Sequence, residues 1–141
     1  MKVLVESASP AFLENITVGD HTLRADEPLN AGGGGAAPSP YELLLAALGA
    51  CKVITLRMYA TRKGWPLSAV RVSLTHEKAR AEASAGNCVS DGGLIDQIEV
   101  EIKLTGELSS QQHEALLQIA EKCPVHRTLT SVATIRTRAI V

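Results

Sequence analysis

Apolar and polar side chains alternate over the first 25 residues, with Val3 and Val5, then Phe12, Ile16 and Val18, then His21 and Leu23 recurring between polar neighbours. A period near two marks strands with one covered face, and Pro10 and Gly19-Asp20 break the run, so three short antiparallel strands are predicted over residues 2–25. Asp26-Glu27-Pro28 ends this meander, and Gly32 to Gly35 with Pro38 and Pro40 makes a flexible connection outside regular structure. From Pro40 to Lys63 the chain reads as one long helix: Ser39 with Glu42 forms a capping-box pair, Pro40 suits the first helical position, and Gly64 before Trp65-Pro66 supplies a stop. The first half of this helix is apolar on every side and the second carries Lys52, Arg57, Arg62 and Lys63. Its N-terminal half is therefore expected to be buried and its C-terminal half partly exposed.

Alternation returns at Val70, Val72, Leu74 and His76, and again at Ile98, Val100, Ile102 and Leu104, predicting two strands with one polar face each. Residues 78–93 between them are rich in Ala, Gly, Ser and Asn, which places Cys88 in a hairpin loop or its flank. Ser109 with Gln112 forms a second capping-box pair, and Ala115, Leu116, Ile119, Ala120 and Cys123 recur at helical spacing. Pro124 cannot extend that helix but can begin another, which puts Cys123 at a new N-cap. Val132 to Val141 is predicted to be a closing strand.

A chain of 141 residues suits a single domain, 1–141. It is 45% apolar but only 3% aromatic, so its core is built from aliphatic side chains and little is left for base stacking. A formal charge of −1 and the lack of any Lys/Arg cluster exclude nucleic acid and anionic membrane as implied partners. The unbroken apolar run from Leu43 to Cys51 falls short of the roughly 20 residues that span a bilayer. The amino-terminal Met1-Lys2-Val3-Leu4-Val5-Glu6 lacks the pattern of a signal peptide, so a cytoplasmic location is expected. Three cysteines without C-x-x-C spacing fit neither a disulfide framework nor a zinc site, which directs attention to thiol chemistry.

Cys123, at a helix start beside Lys122, His126 and Arg127, has the local setting that stabilises a thiolate. Cys51 lies about three turns inside the long helix, where the dipole acts weakly, so its activation must come from elsewhere in the fold. Each cysteine taken singly reads first as a small buried hydrophobe, and Cys88, beside Asn87 and Val89, has only that reading or that of a bystander thiol. By default Glu42 is the cap partner of Ser39 and Arg24 a solvated strand residue. His21, His76, His113 and His126 lack the spacing of metal ligands, and the glycine run lacks the Gly-Lys-Ser/Thr of a phosphate loop. No Gly-x-Ser-x-Gly nucleophile turn occurs either.

Together, Asp26-Glu27-Pro28, the glycine run, the tract Pro38-Ser-Pro-Tyr-Glu-Leu-Leu-Leu-Ala-Ala-Leu-Gly-Ala-Cys51, Leu56-Arg-Met-Tyr-Ala60, Lys63-Gly-Trp-Pro66 and Lys122-Cys-Pro-Val-His-Arg-Thr-Leu129 resemble the OsmC/Ohr family over nearly the whole chain. The resemblance implies an α+β fold with antiparallel sheets around a long buried central helix, two chains intertwined as a homodimer, and active sites at the subunit interface. It also implies reduction of organic hydroperoxides in an oxidative stress response, without metal or organic cofactor. Cys51 would be the nucleophile that becomes a sulfenic acid, Cys123 would resolve it as a disulfide, and a thiol or dithiol reductant would restore the pair.

Peroxidases of this family position thiolate and peroxide with an Arg and with a Glu that directly follows a Pro, ten residues before the cysteine. Here that position is Tyr41; Glu42 is displaced by one residue, about 100° around the helix. Arg24 is the candidate for the Arg, and the chain resembles an OsmC-like branch of the family. Two alternatives stand beside the peroxidase reading: a non-catalytic redox-sensing or hydrophobic small-ligand binding protein of the same fold, and a dimer whose thiols are structural.

Overall fold

The computed structural model describes residues 1–80 and 93–140, and the Cys88 expectation falls outside them. The described chain is α+β: β1 (Leu4–Ser7), β2 (Glu14–Val18) and β3 (His21–Ala25), a single 3-10 turn at Leu29–Ala31, α1 (Pro40–Lys63), β4 (Leu67–Arg80), β5 (Leu94–Gly106), α2 (Ser110–Ala120) and α3 (Pro124–Leu129). Its residues gather into two compact units, Met1–Ala46 and the chain from Ala47 onward.

In the first unit the meander is antiparallel in the order β1-β2-β3. Its register sets Val5 opposite Ile16 and Ile16 opposite Leu23, an apolar row across one face. The glycine connection is irregular, as expected, but it is organised by one carboxylate. Asp26, 2% exposed, accepts the backbone N–H of Glu27 at 2.8 Å, of Gly34 at 3.2 Å and of Ala36 at 3.0 Å. Gly33 passes so close to the Glu27 carbonyl that a Cβ would collide with backbone there. The start of α1 is fixed by the predicted reciprocal cap: Glu42 N–H donates to Ser39 Oγ at 3.3 Å, and Ser39 N–H to Glu42 Oε2 at 2.7 Å.

In the second unit β4 and β5 form a long antiparallel hairpin with Val70 opposite Leu104, Val72 opposite Ile102, Leu74 opposite Val100 and His76 opposite Ile98. These are the residues whose alternation predicts a covered face. The core lies between this face, α1 and α2: Leu56, Ala60, Leu116 and Ala120 are buried at its centre, with Trp65, Val70, Ile102 and Leu104 packed around them. Gly49 brings α1 onto β4, since a Cβ there would meet Leu74 Cδ1 at 2.8 Å. The Ser109–Gln112 box caps α2 as predicted.

Two expectations are corrected. The first half of α1 is not buried within this chain: Tyr41 and Leu44 are exposed, and the covered residues form one stripe, Leu48, Gly49, Lys52, Leu56 and Ala60, that continues into the second half. By length and composition α1 would also suffice to cross a membrane, a test that the core helix of a globular protein passes as well. Here its stripe packs on protein. Residues 132–140 are not a strand either, and Val132 is 99% exposed while Ile135 and Ile140 are each 88% exposed. A strand exists only by pairing, and the two described sheets close without this segment.

Backbone hydrogen bonding, led by Ala36 N–H, outweighs burial and holds the Asp26 carboxyl below its ordinary value of 3.8, with Arg24 adding attraction. The folded state thus binds this proton less tightly than the unfolded chain. The resulting stabilisation is present above pH 3.8 and lost as the pH falls through the lower folded-state value. Limited proteolysis within residues 27–36 should therefore be accelerated by Asp26→Ala at neutral pH, and in the wild type only below pH 3.8. Leu56→Ala, at a position with no exposed surface, should cost about 2–5 kcal/mol in denaturant unfolding.

Candidate active site

Cys51 lies on α1 and is half-buried, while Cys123 is completely buried, and both are free thiols. Cys123 is carried by a sharp corner. α2 ends at Ala120, Lys122 N–H donates back to the Ile119 carbonyl at 3.0 Å, and α3 begins at Pro124, which needs no N–H partner. Cys123 caps α3 as predicted, its Sγ accepting the His126 N–H at 3.3 Å. The corner faces the turn of α1 that holds Cys51, so that two thiols 72 positions apart in the chain act on one another electrostatically.

The expected activation of Cys123 by local charge is corrected. Burial pushes this thiol upward, and the neighbouring Cys51 adds to the rise, more than the His126 N–H and the charge of Lys52 lower it. Lys122 and Arg127 are exposed at the surface. The cation acting on Cys123 is one that was expected to mark the exposed half of α1: Lys52 is completely buried. Its Nζ donates to the Ala120 carbonyl at 3.0 Å, to Glu121 Oε1 at 3.0 Å and to His126 Nδ1 at 3.2 Å. The signal was in the sequence, because Leu48, Lys52, Leu56 and Ala60 follow one another at intervals of four, the phase of one helix face.

Arg24 and Glu42 belong to the first unit. Arg24 is exposed on β3 and acts electrostatically on Asp26, and Glu42 is engaged in the Ser39 cap. Among the described residues no group of His, Cys, Asp and Glu side chains is arranged to hold a metal ion. Hollows in the second unit border both stretches of chain, α1 and the Cys123 corner. One, of about 850 Å³, runs along α1 with apolar walls from Ile54, Met58 and Ile119 and basic groups from Arg57, Arg62 and Lys122. Another, of about 390 Å³, is bordered by Lys52, Glu121, His126 and, from β5, Asp96.

A family model described as OsmC-like protein matches residues 32–138. Among solved structures, a protein from Psychrobacter arcticus 273-4 described as osmotic stress induced and of detoxification response superimposes with a TM-score of 0.71 at 18% identity, covering 91% of this chain and 87% of that one. An OsmC like protein from Mycoplasma pneumoniae gives 0.70 at 18% identity, covering 93% and 87%. An organic hydroperoxide resistance protein from Legionella pneumophila gives 0.65 at 21% identity, covering 92% and 90%. At these identities the likeness establishes the fold. No curated protein matches by sequence.

With Cys51 partly accessible and Cys123 buried and raised, iodoacetamide should label Cys51 first in the reduced protein. Cys123 should follow only as the pH is taken well above neutral, an order read by peptide mass mapping across a pH series.

Proposed function

The chain belongs to the OsmC-like family, and from that premise we propose that it reduces organic hydroperoxides with Cys51 as nucleophile and Cys123 as resolving thiol. The observation that carries this reading is the unequal burial of two adjacent thiols. The half-buried Cys51 can be reached by a peroxide, whereas Cys123 has no exposed surface and lies beside Cys51. Membership supports a peroxide-resistance role at the coarse level, and similar structures include proteins named for organic hydroperoxide resistance.

The chemistry closes in three steps. The Cys51 thiolate attacks the peroxide oxygen, the O–O bond breaks, and with one proton an alcohol leaves and a sulfenic acid remains. Cys123 attacks that sulfur; an S–S bond forms, the S–O bond breaks, and hydroxide departs with the Cys123 proton as water. Two external thiols, or one dithiol, then reduce the disulfide and become oxidised themselves. No metal or organic cofactor takes part in this scheme, and a cytoplasmic location would supply the reductant. Arg24 and Glu42 are carried as positioning groups for the peroxide by the resemblance alone, with the cap observed at Glu42 as a competing role.

We take both units as one OsmC-like domain that works as a homodimer. Three sets of exposed apolar groups support it: Leu23 on β3, Ile54 and Met58 on α1, and Val132, Ile135 and Ile140 of the carboxyl-terminal segment. A second copy would remove them from water. The groove along α1 favours one further reading, binding of a hydrophobic molecule bearing a negative charge, in which the thiols only report oxidation.

One equivalent of an organic hydroperoxide should convert the reduced protein to a Cys51–Cys123 disulfide, seen by peptide mass mapping. Intact thiols in excess peroxide would favour the binding reading. Cys51→Ser should lower turnover to the uncatalysed background without changing the fold, and Cys123→Ser should leave a Cys51 sulfenic acid that dimedone traps. Glu42→Gln should retain turnover if this residue only caps α1, and lose it if it positions the peroxide. Sedimentation should report a dimer; a monomer would remove the second copy from the scheme.

A further inference from the structure

A lysine with no exposed surface needs a reason, because an ammonium taken out of water costs several kcal/mol unless it is fully paired. Attraction to Glu121 alone does not supply one, since that carboxylate is 61% exposed and could be met at the surface. The pairing of Lys52 is more specific. Its three protons meet three acceptors, the Ala120 carbonyl, Glu121 Oε1 and His126 Nδ1. These come from the end of α2, the residue after it and the first turn of α3, on both sides of Cys123 in the chain. An ammonium can only donate, so Nδ1 carries the lone pair and the ring proton of His126 sits on Nε2, 3.5 Å from Glu121 Oε2. Lys52 directly follows Cys51. One side chain therefore joins the turn of α1 that carries the first thiol to both flanks of the second.

We propose that Lys52 is the positioning residue of the resolving step: its ammonium clamps the Cys123 corner against the Cys51 turn and stands as the positive charge beside the buried thiol that must lose its proton. The proposal rests on the reading of Cys51 and Cys123 as a nucleophilic and a resolving thiol. Among the described residues, the groups that face Cys123 and its clamp are Cys51 and Lys52 of α1, Glu121 beyond α2, His126 of α3 and, across the smaller cavity, Asp96 of β5. Burial and Cys51 raise the Cys123 thiol, and Lys52 is the side-chain charge that opposes them. Without it, attack by Cys123 should need a higher pH, and without its hydrogen bonds the corner should be held less closely.

The test separates the two thiols without using peroxide. In a Cys88→Ser background, dithiodipyridine reacts first with Cys51, forming a mixed disulfide and releasing one thiopyridine; Cys123 then attacks, the Cys51–Cys123 disulfide forms, and a second thiopyridine leaves with the Cys123 proton. Lys52→Met should slow the second release severalfold and move its pH dependence upward while the first release is unchanged. Lys52→Gln, which keeps a donor without the charge, should show the pH displacement with a smaller loss. Lys52→Arg, which keeps both, should restore the wild-type profile. If Lys52→Met fails to fold, the Gln and Arg variants carry the comparison. A second release with wild-type rate and pH dependence in the Gln variant would overturn the proposal. Organic hydroperoxide in place of dithiodipyridine distinguishes the two ideas: a Lys52-dependent second release with no disulfide from peroxide refutes the peroxidase reading alone.

Discussion

The packing of one stripe of α1 governs the second unit. Leu48, Lys52, Leu56 and Ala60 are spaced by four, so their side chains fall nearly in line along the helix, and all four are buried. Leu56 and Ala60 join Leu116 and Ala120 of α2 at the centre of the core, while Gly49 lets the helix approach Leu74 on β4. With that stripe seated, Ala120 packs in the core and its carbonyl meets Lys52, so the corner after Ala120 lies beside the turn that carries Cys51 and Lys52. The meeting of the two thiols is thus a consequence of core packing. It requires no flexible approach of one loop to another.

The same packing sets the electrostatics. A cysteine at the start of a helix, with basic residues near it in the chain, would ordinarily be read as an activated thiol. Burial reverses that reading at Cys123, because the cost of ionising a sulfur in an apolar corner exceeds what one backbone N–H returns. The neighbours in sequence, Lys122 and Arg127, stay in water, where screening leaves them little influence. Lys52, 71 positions away in the chain, is buried with the thiol and acts on it. Distance through the fold and the dielectric around the charge decide which cation matters. This arrangement leaves one thiol partly accessible and its neighbour shielded from water.

A comparable economy organises the first unit, where a single carboxylate replaces regular structure. Asp26 gathers the N–H groups of Glu27, Gly34 and Ala36, so a stretch whose composition reads as a flexible linker is held in one path leading to the Ser39 cap. Glycine is required at position 33 by the close approach of the Glu27 carbonyl. The connection is irregular and still specified.

The sequence alone determined what depends on neighbours along the chain. The strand pairs of the meander and of the long hairpin, the limits of α1, both capping boxes and the N-cap at Cys123 follow from periodicity, turn residues and short-range side-chain to backbone hydrogen bonds. The pairing of Cys51 with Cys123 was visible only through a family resemblance, since no local rule brings together residues so far apart. Tertiary structure alone decided the burial of Lys52, the direction in which Cys123 is shifted, and the missing strand at residues 132–140. Each turns on what covers a group rather than on what it is: a lysine is buried when three acceptors close around it, a thiol is raised when water is removed from it, and an extended segment becomes a strand only when another backbone lies alongside.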